Sequence, residues 1–206
     1  DIADFFFFCF SSTDYVGHTF GPRSMELQDT YLRLDQTLAT FLAYLDKTVG
    51  KDNYLLFLTA DHAGAENSNY LKDNKYNVKN VPTKDIVDAL KKYSNDTFGA
   101  DLVLDYSNFN LFFNKETIKQ KGLELTKVKQ SFKDFLMTQK RVKRVYTEEE
   151  ILGATGEDYY LKFIFKGYDP KQNGDLVILE NAGYMEYHET GTTHGSPNSY
   201  DTNVPL

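Results

Sequence analysis

Two short apolar runs and one long amphipathic stretch dominate the first third of the chain. Residues 5–11 and 54–59 are almost entirely apolar, which is typical of strands buried on both faces of a parallel sheet. Between them, residues 25–49 repeat apolar side chains at the period of a helix. The order strand, helix, strand predicts a βαβ unit and therefore an α/β fold.

The pattern changes between residues 67 and 187, where helical and strand-like stretches are mixed. Residues 191–205 then return to loop chemistry and the start of a last core strand. We therefore predict a partial α/β core formed by residues 1–66 and 188–206, with an α+β insertion or cap over 67–187. Within the insertion, helices are predicted over 83–93 and 125–139, and strands over 101–113, 159–166 and 176–181.

Length and charge narrow the classes of function. A chain of 206 residues accommodates one domain, or one domain with a large insertion. Its longest apolar run, residues 5–10, is far below the ~18 residues of a membrane span, so no span is predicted. The net charge of −7 argues against nucleic acid as a partner, because a phosphate backbone needs a basic face. The same charge would repel an anionic substrate unless metal ions intervene.

Two further features concern the cysteine and the ends of the chain. Cys9 is the single cysteine, so no intrachain disulfide can form, and its apolar neighbours predict a buried small side chain. The chain begins at Asp1 without an initiator Met and ends at Leu206 in an apolar stretch. No signal peptide is visible. We expect a fragment or a processed product of a longer protein.

Candidate chemistry gathers at three places that contain three of the four histidines. Asp14 and His18 lie four residues apart in a predicted polar loop after the first strand. Asp61 and His62 are adjacent at the end of the second strand, and His194 stands in a Gly- and Thr-rich loop. Ligands of open α/β sheets bind outside the carboxyl ends of strands. Imidazole nitrogen and carboxylate oxygen are ligands of zinc, so these side chains predict a metal site.

Each cluster has an ordinary alternative when it is considered alone. An adjacent Asp61–His62 pair is common in proteins without metal, and Asp14 with His18 is compatible with capping of a loop. A lone histidine in a Gly-Thr loop is usually a surface residue. The joint pattern favours metal binding, because three histidines fall at strand ends or in Gly-rich loops. His188 follows Tyr187 and lacks such neighbours, so we interpret it as a non-ligand.

Three segments contain the candidate ligands: Ser12-Thr13-Asp14-Tyr15-Val16-Gly17-His18, Thr59-Ala60-Asp61-His62-Ala63 and Thr190-Gly191-Thr192-Thr193-His194-Gly195-Ser196. Together they resemble the alkaline phosphatase superfamily, in the order and spacing of its type I phosphodiesterase and phosphatase members. The nearest resemblance is to the PafA-like alkaline phosphatases, and it extends over nearly the whole chain. Residues 29–35 and 200–206 also look like that branch.

The resemblance implies a two-zinc hydrolase of phosphate esters, built on an alkaline-phosphatase-like sheet flanked by helices. In this family the counterparts of Asp14, His18 and His194 hold one zinc ion. Those of Asp61 and His62 help to hold the second, so only the first site is complete here. The implied substrate is a small phosphate ester, with monoesters favoured over diesters. The implied location is periplasmic or extracellular, and the oligomeric state stays open.

The sequence departs from the family pattern in its catalytic part. The family's Ser or Thr nucleophile, and an Asp that completes the second zinc site, precede the first motif, yet Asp1 lies only thirteen residues before Asp14. Asn203 stands where relatives often carry His. We assign no catalytic residue, and none of the nearby hydroxyls is nominated as nucleophile: Ser12, Thr13, Thr59 and Thr193.

Two hypotheses therefore remain. Either the chain is the metal-binding part of a phosphate-ester hydrolase, inactive alone, or it is a non-catalytic metal-binding or interaction module derived from the same fold.

Overall fold

The computed structural model describes residues 4–156, 158–186 and 190–205, which fall into two compact units. The first unit consists of residues 1–76, 187–194 and 203–206. The second unit consists of residues 77–186 and 195–202. His188, interpreted above as a non-ligand, lies outside the described residues. The division of the chain into a core and an insertion at 66/67 and 187/188 stays a prediction.

Helices make up the regular structure of the first unit. The predicted helix over 25–49 is confirmed, because α2 spans Met25–Leu45 and continues as a π-helical turn over Asp46–Gly50. The Ser24 hydroxyl caps α2 by accepting a hydrogen bond of 3.1 Å from the backbone N–H of Leu27. Two shorter helices complete the described part of this unit: α1 over Ser12–Phe20 and α3 over Ser68–Asp73.

The two apolar runs of the first unit do not form the strands that their pattern predicts. Residues 5–10 and 54–59 lack regular secondary structure, and Phe5 and Leu55 are 88% and 80% exposed. Cys9 is also exposed, so its predicted burial is wrong. Nor do residues 203–205 form a strand. A strand needs a neighbour that accepts its backbone hydrogen bonds, and the described residues supply none to these segments.

The second unit is a mixed α/β structure, and its main sheet has four antiparallel strands in the order β2-β3-β5-β4. A separate parallel pair joins β1 and β6. The strands are β1 Lys79–Asn80, β2 Val103–Ser107, β3 Asn110–Phe113, β4 Val142–Thr147, β5 Leu176–Glu180 and β6 Tyr184–Met185. The helices are α4 Thr83–Phe98, α5 Lys115–Gln120, α6 Leu125–Met137, α7 Glu148–Leu152, α8 Tyr159–Gly167 and α9 Ser199–Thr202.

Helices cover both faces of the four-stranded sheet. Leu176 and Ile178 of β5 belong to the larger core, which also contains Leu90 of α4 and Phe132 of α6. The alternate β5 residues Val177 and Leu179 join a second cluster, against which side chains of α8 pack. Successive residues of a strand point to opposite faces, and all five residues of β5 are buried. The predicted mixed α/β class, with a sheet flanked by helices, is confirmed.

Most element predictions in the second unit are confirmed. The helices expected over 83–93 and 125–139 are α4 and α6, and the strand expected over 176–181 is β5. The run 101–113 is two strands, β2 and β3, joined by a turn in which Asn108 and Phe109 have positive φ. The predicted strand over 159–166 is wrong, because α8 occupies these residues. Across the described ranges, every helix is too short or too polar to span a bilayer.

Candidate metal centre

The first helix carries two of the predicted ligands on one face. Asp14 and His18 are four residues apart in α1, and this separation places two side chains one above the other on a helix. The Asp14 Oδ2 and His18 Nε2 atoms are 3.4 Å apart. Both side chains are about two-fifths exposed, at 41% and 37%. The helix therefore presents a carboxylate oxygen and an imidazole nitrogen together.

The loop predicted for residues 11–18 is wrong, since α1 begins at Ser12. Two threonine hydroxyls of α1 donate to main-chain carbonyls three or four residues earlier in the sequence. The Thr13 hydroxyl donates to the carbonyl of Phe10 at 3.2 Å, and the Thr19 hydroxyl donates to the carbonyl of Tyr15 at 3.0 Å. Such back-bonding lets Ser and Thr occupy a helix that their propensities alone do not favour.

His194 reaches the same place from the other end of the sequence. Its Nε2 atom lies 3.0 Å from Nε2 of His18 and 3.4 Å from Oδ1 of Asp14. One donor atom each from Asp14, His18 and His194 lies within 4.8 Å of the others. His18 and His194 are 176 positions apart, so tertiary structure brings the three side chains together. All three belong to the first unit.

His62 lies beside this triad, and Asp61 lies further out. The His62 ring stacks on the His194 ring, with centroids 3.5 Å apart and an interplanar angle of 18°. The Nε2 atom of His62 is 3.9 Å from Oδ1 of Asp14 and 3.9 Å from Oδ2 of Asp61. The side chain of Asp61 is 84% exposed, against 30% for His62. The structure thus groups the predicted site residues into a tight triad, a neighbouring imidazole and an exposed carboxylate.

The donor set of the triad fits a divalent metal ion. Zinc binds imidazole nitrogen and carboxylate oxygen at about 2.0–2.2 Å, so two ligands of a tetrahedral site lie about 3.3 Å apart. The separations among the Asp14, His18 and His194 donors are 3.0, 3.4 and 3.4 Å, with each histidine nearest a different oxygen of Asp14. Two imidazole nitrogens face each other at 3.0 Å when a proton or a cation lies between them.

The loop that carries His194 is tied to the segment that follows His62. The backbone N–H of Ala65 donates to the carbonyl of Thr193 at 3.1 Å. The side-chain amide of Asn67 donates to the carbonyl of Gly191 at 2.8 Å. Sequence reasoning missed Ala65 and Asn67, because each bonds to a main-chain carbonyl, a group that every residue carries.

Two of the hydroxyls considered in the sequence are engaged with the backbone. Thr13 donates to Phe10 as described above, and the Thr59 hydroxyl donates to the carbonyl of Pro205 at 2.8 Å. A hydroxyl activated for nucleophilic attack has a base within hydrogen-bond reach. A backbone carbonyl is not such a base, so neither hydroxyl is nominated as a nucleophile.

The amino-acid sequence matches one family model and is similar to known proteins. The type I phosphodiesterase / nucleotide pyrophosphatase family model matches residues 1–202. The chain is 39% identical to alkaline phosphatase PafA of Elizabethkingia meningoseptica, over 100% of this chain and 38% of that protein. It is 38% identical to alkaline phosphatase PhoV of Synechococcus elongatus, over 98% of this chain and 36% of that protein.

A solved structure is similar to most of the chain. The crystal structure of wild-type alkaline phosphatase PafA matches with a TM-score of 0.85 and 36% identity, covering 94% of this chain and 37% of that chain. The chain therefore spans a little over a third of the length of the relatives that it matches.

Proposed function

Because the chain belongs to the type I phosphodiesterase / nucleotide pyrophosphatase family and shares the fold of PafA over the matched range, we propose that it is the metal-binding part of a phosphate-ester hydrolase. The observation that carries the proposal is the convergence of Asp14, His18 and His194 within 4.8 Å. These three residues would hold one zinc ion. Asp61 and His62 would contribute to a second zinc site.

The proposed roles follow from the chemistry of each side chain. The zinc ions that Asp14, His18 and His194, and Asp61 with His62, would hold would supply Lewis acidity for the hydrolysis of a phosphate ester. His18 and His194 supply neutral nitrogen donors, and Asp14 supplies a charge that offsets part of the charge of the cation. The surrounding chain has a net charge of −7, so bound cations would also make the site attractive to an anionic ester.

The finer assignments belong to the same proposal. Phosphomonoesters are the favoured substrates over diesters, and the intact protein would act in the periplasm or outside the cell. The names of PafA and PhoV, both alkaline phosphatases, support the monoesterase. The 206-residue chain by itself would bind metal but would not turn over substrate, because we assign none of its hydroxyls as a nucleophile.

Zinc binding to this chain tests the metal site directly. We expect titration against a competing chelator to find about one tight site, because only one centre has three protein ligands. His194→Ala and Asp14→Asn should each abolish tight binding. Asp29→Asn is the matched control, since Asp29 is exposed on α2 and pairs with Arg33, and it should leave binding unchanged. Two equivalent tight sites, or unchanged zinc content in His194→Ala, would contradict the assignment.

Catalysis is tested in a polypeptide of the relatives' length. Hydrolysis of p-nitrophenyl phosphate should exceed that of bis(p-nitrophenyl) phosphate, should stop after treatment with EDTA and should return with zinc. His194→Ala should lose this activity. Zinc binding without turnover of either ester in the long protein would instead support the non-catalytic module.

A further inference from the structure

We propose that residues 190–193, called here the 190–193 segment, position His18 for metal binding by fixing the tautomer of its imidazole. Thr192 supplies the backbone carbonyl that holds the ring, and Gly191 permits the close approach that this contact needs. The inference rests on the proposed metal site. It adds positioning residues that make no contact with the ion themselves.

The tautomer follows from a single contact. Nδ1 of His18 lies 2.9 Å from the backbone carbonyl oxygen of Thr192. A carbonyl oxygen only accepts hydrogen bonds, so Nδ1 must carry the proton. In the neutral ring Nε2 is then left with a free lone pair, and Nε2 is the atom that faces Asp14 and His194. Outer contacts of this kind orient metal-ligating histidines in proteins.

His62 shows the same arrangement in a local form. Its Nδ1 atom lies 2.9 Å from the carbonyl oxygen of Ala63, which again places the proton on Nδ1. Its Nε2 atom is the one nearest the carboxylates of Asp14 and Asp61. Both histidines therefore use one nitrogen for the main chain and keep the other for the site.

Gly191 is required because the 190–193 segment lies directly against α1. A Cβ atom added at Gly191 would stand 2.0 Å from the backbone oxygen of His18 and 3.1 Å from its carbonyl carbon. The obstructing atoms are backbone, so no rotamer change relieves the clash. The Thr190 hydroxyl donates to the carbonyl of Thr19 at 2.9 Å, which holds the segment at this distance from the helix.

The opposite side of the 190–193 segment is anchored to residues 65–67. The Thr192 hydroxyl donates to the carbonyl of Ala65, and the N–H of Ala65 donates to the carbonyl of Thr193 at 3.1 Å. Asn67 donates from its side-chain amide to the carbonyl of Gly191 at 2.8 Å. The Thr192 carbonyl is thus held between two parts of the first unit, and its position does not depend on a single hydrogen bond.

Gly191→Ala tests the proposal, with Gly17→Ala as the matched control. Gly17 precedes His18 in the same helix, and nothing lies within 4 Å of a Cβ added there. Long-range 15N–1H spectra of the metal-free 206-residue chain should show His18 as the Nδ1–H tautomer in wild type and in Gly17→Ala. In Gly191→Ala this signature should be lost, and zinc affinity should fall about 10- to 100-fold, as for other outer-contact substitutions.

A second variant separates positioning from a loss of folding. Thr192→Val keeps the backbone and side-chain shape but removes the hydroxyl bond to Ala65, so zinc affinity should fall several-fold and the His18 signature should weaken. An Nε2–H tautomer in the wild-type chain would overturn the proposal. So would zinc affinity within about twofold of wild type in folded Gly191→Ala. Absence of zinc binding by the wild type would contradict the proposed function, while the tautomer of His18 would still be decided in the same sample.

Discussion

At the scale of single residues, Glu180 of the second unit is a carboxylate whose pKa is raised by burial more than it is lowered by its partner Arg141. Arg141 binds Oε1 of Glu180 through both Nε and Nη2 at 2.7 Å. Oε2 of Glu180 is buried and, among the described residues, makes no hydrogen bond. Desolvation raises the pKa of Glu180 above its ordinary value of 4.5, although Arg141 opposes the change. The folded state therefore holds this proton to a higher pH than the unfolded state does.

The raised pKa of Glu180 predicts a pH-dependent difference between wild type and Glu180→Gln. A group with a raised pKa contributes stability below its unfolded pKa, and this contribution is lost as the pH rises through the folded pKa. Glutamine does not titrate. We expect the free energy of unfolding of wild type, minus that of Glu180→Gln, to fall as the pH rises from 4.5, the ordinary pKa of the carboxyl group, through the higher pKa of the folded state. Urea unfolding of both proteins at a series of pH values across this range measures the difference.

The control for this experiment is Glu116→Gln, because Glu116 is exposed on α5. Its difference from wild type should change little over the same range. A Glu180 difference that rises with pH would mean that Arg141, and not desolvation, governs the carboxylate.

The candidate site was predictable from residue types, but the contacts that support it were not. Asp14, His18, Asp61, His62 and His194 could be nominated because carboxylates and imidazoles have few structural reasons to cluster in Gly-rich segments. Their proximity depends on long-range folding, and the ring positions depend on carbonyl groups that every residue carries. Backbone contacts of this kind leave no trace in composition or spacing.

At the scale of elements, α8 shows how a local cap overrides an apparent alternation. The alternation of apolar and polar residues over 160–166 predicted a half-exposed antiparallel strand. Asp158 instead starts a helix, since its carboxylate accepts hydrogen bonds of 2.9 and 3.1 Å from the backbone N–H groups of Tyr160 and Leu161. Tyr160, Leu161 and Ile164 then pack on one cluster, at the spacing of one helical face. The helix is selected by its cap and its packing together.

Removal of this cap should weaken the second unit measurably. Asp158→Ala deletes the acceptor for two N–H groups of α8 and the contact with the Tyr146 hydroxyl at 3.1 Å. We expect a loss of about 1 kcal/mol in the free energy of unfolding, within the usual range for N-caps. Asp158→Asn keeps an acceptor and should lose only a few tenths of that amount. Equal losses in the two variants, measured by urea unfolding, would assign the effect to charge and not to capping.

At the scale of the whole molecule, the two units differ in the burial of their apolar residues. The second unit has a buried apolar core, in which Leu90 and Phe132 are 0% exposed. In the first unit the two apolar runs stay open, with Phe5, Phe7, Leu55 and Phe57 between 73% and 88% exposed. Their pattern predicted strands buried on both faces, and that prediction fails because a buried strand needs neighbours on each side. The sequence pattern is typical of strands covered on both faces, and the residues that the structure describes do not cover these two runs.

This exposure makes a prediction about the 206-residue chain in solution. Contiguous apolar surface binds hydrophobic dyes and promotes association, so the chain should enhance ANS fluorescence strongly. A variant with Phe5, Phe7, Leu55 and Phe57 all changed to Ser should lose most of this signal. It should also keep the wild-type free energy of unfolding to within about 0.5 kcal/mol per site, the usual range for exposed positions.

The matched control changes one buried aromatic residue of the second unit. Phe132→Ser should destabilise by more than about 3 kcal/mol, because it empties a packed core position and introduces a hydroxyl there. A polypeptide of the relatives' length should bind less dye than this chain, since the strand-like pattern of residues 5–11 and 54–59 calls for neighbours on both faces. If the fourfold Ser variant unfolded as readily as Phe132→Ser, the two apolar runs would be packed in solution, and the open surface of the first unit would be contradicted.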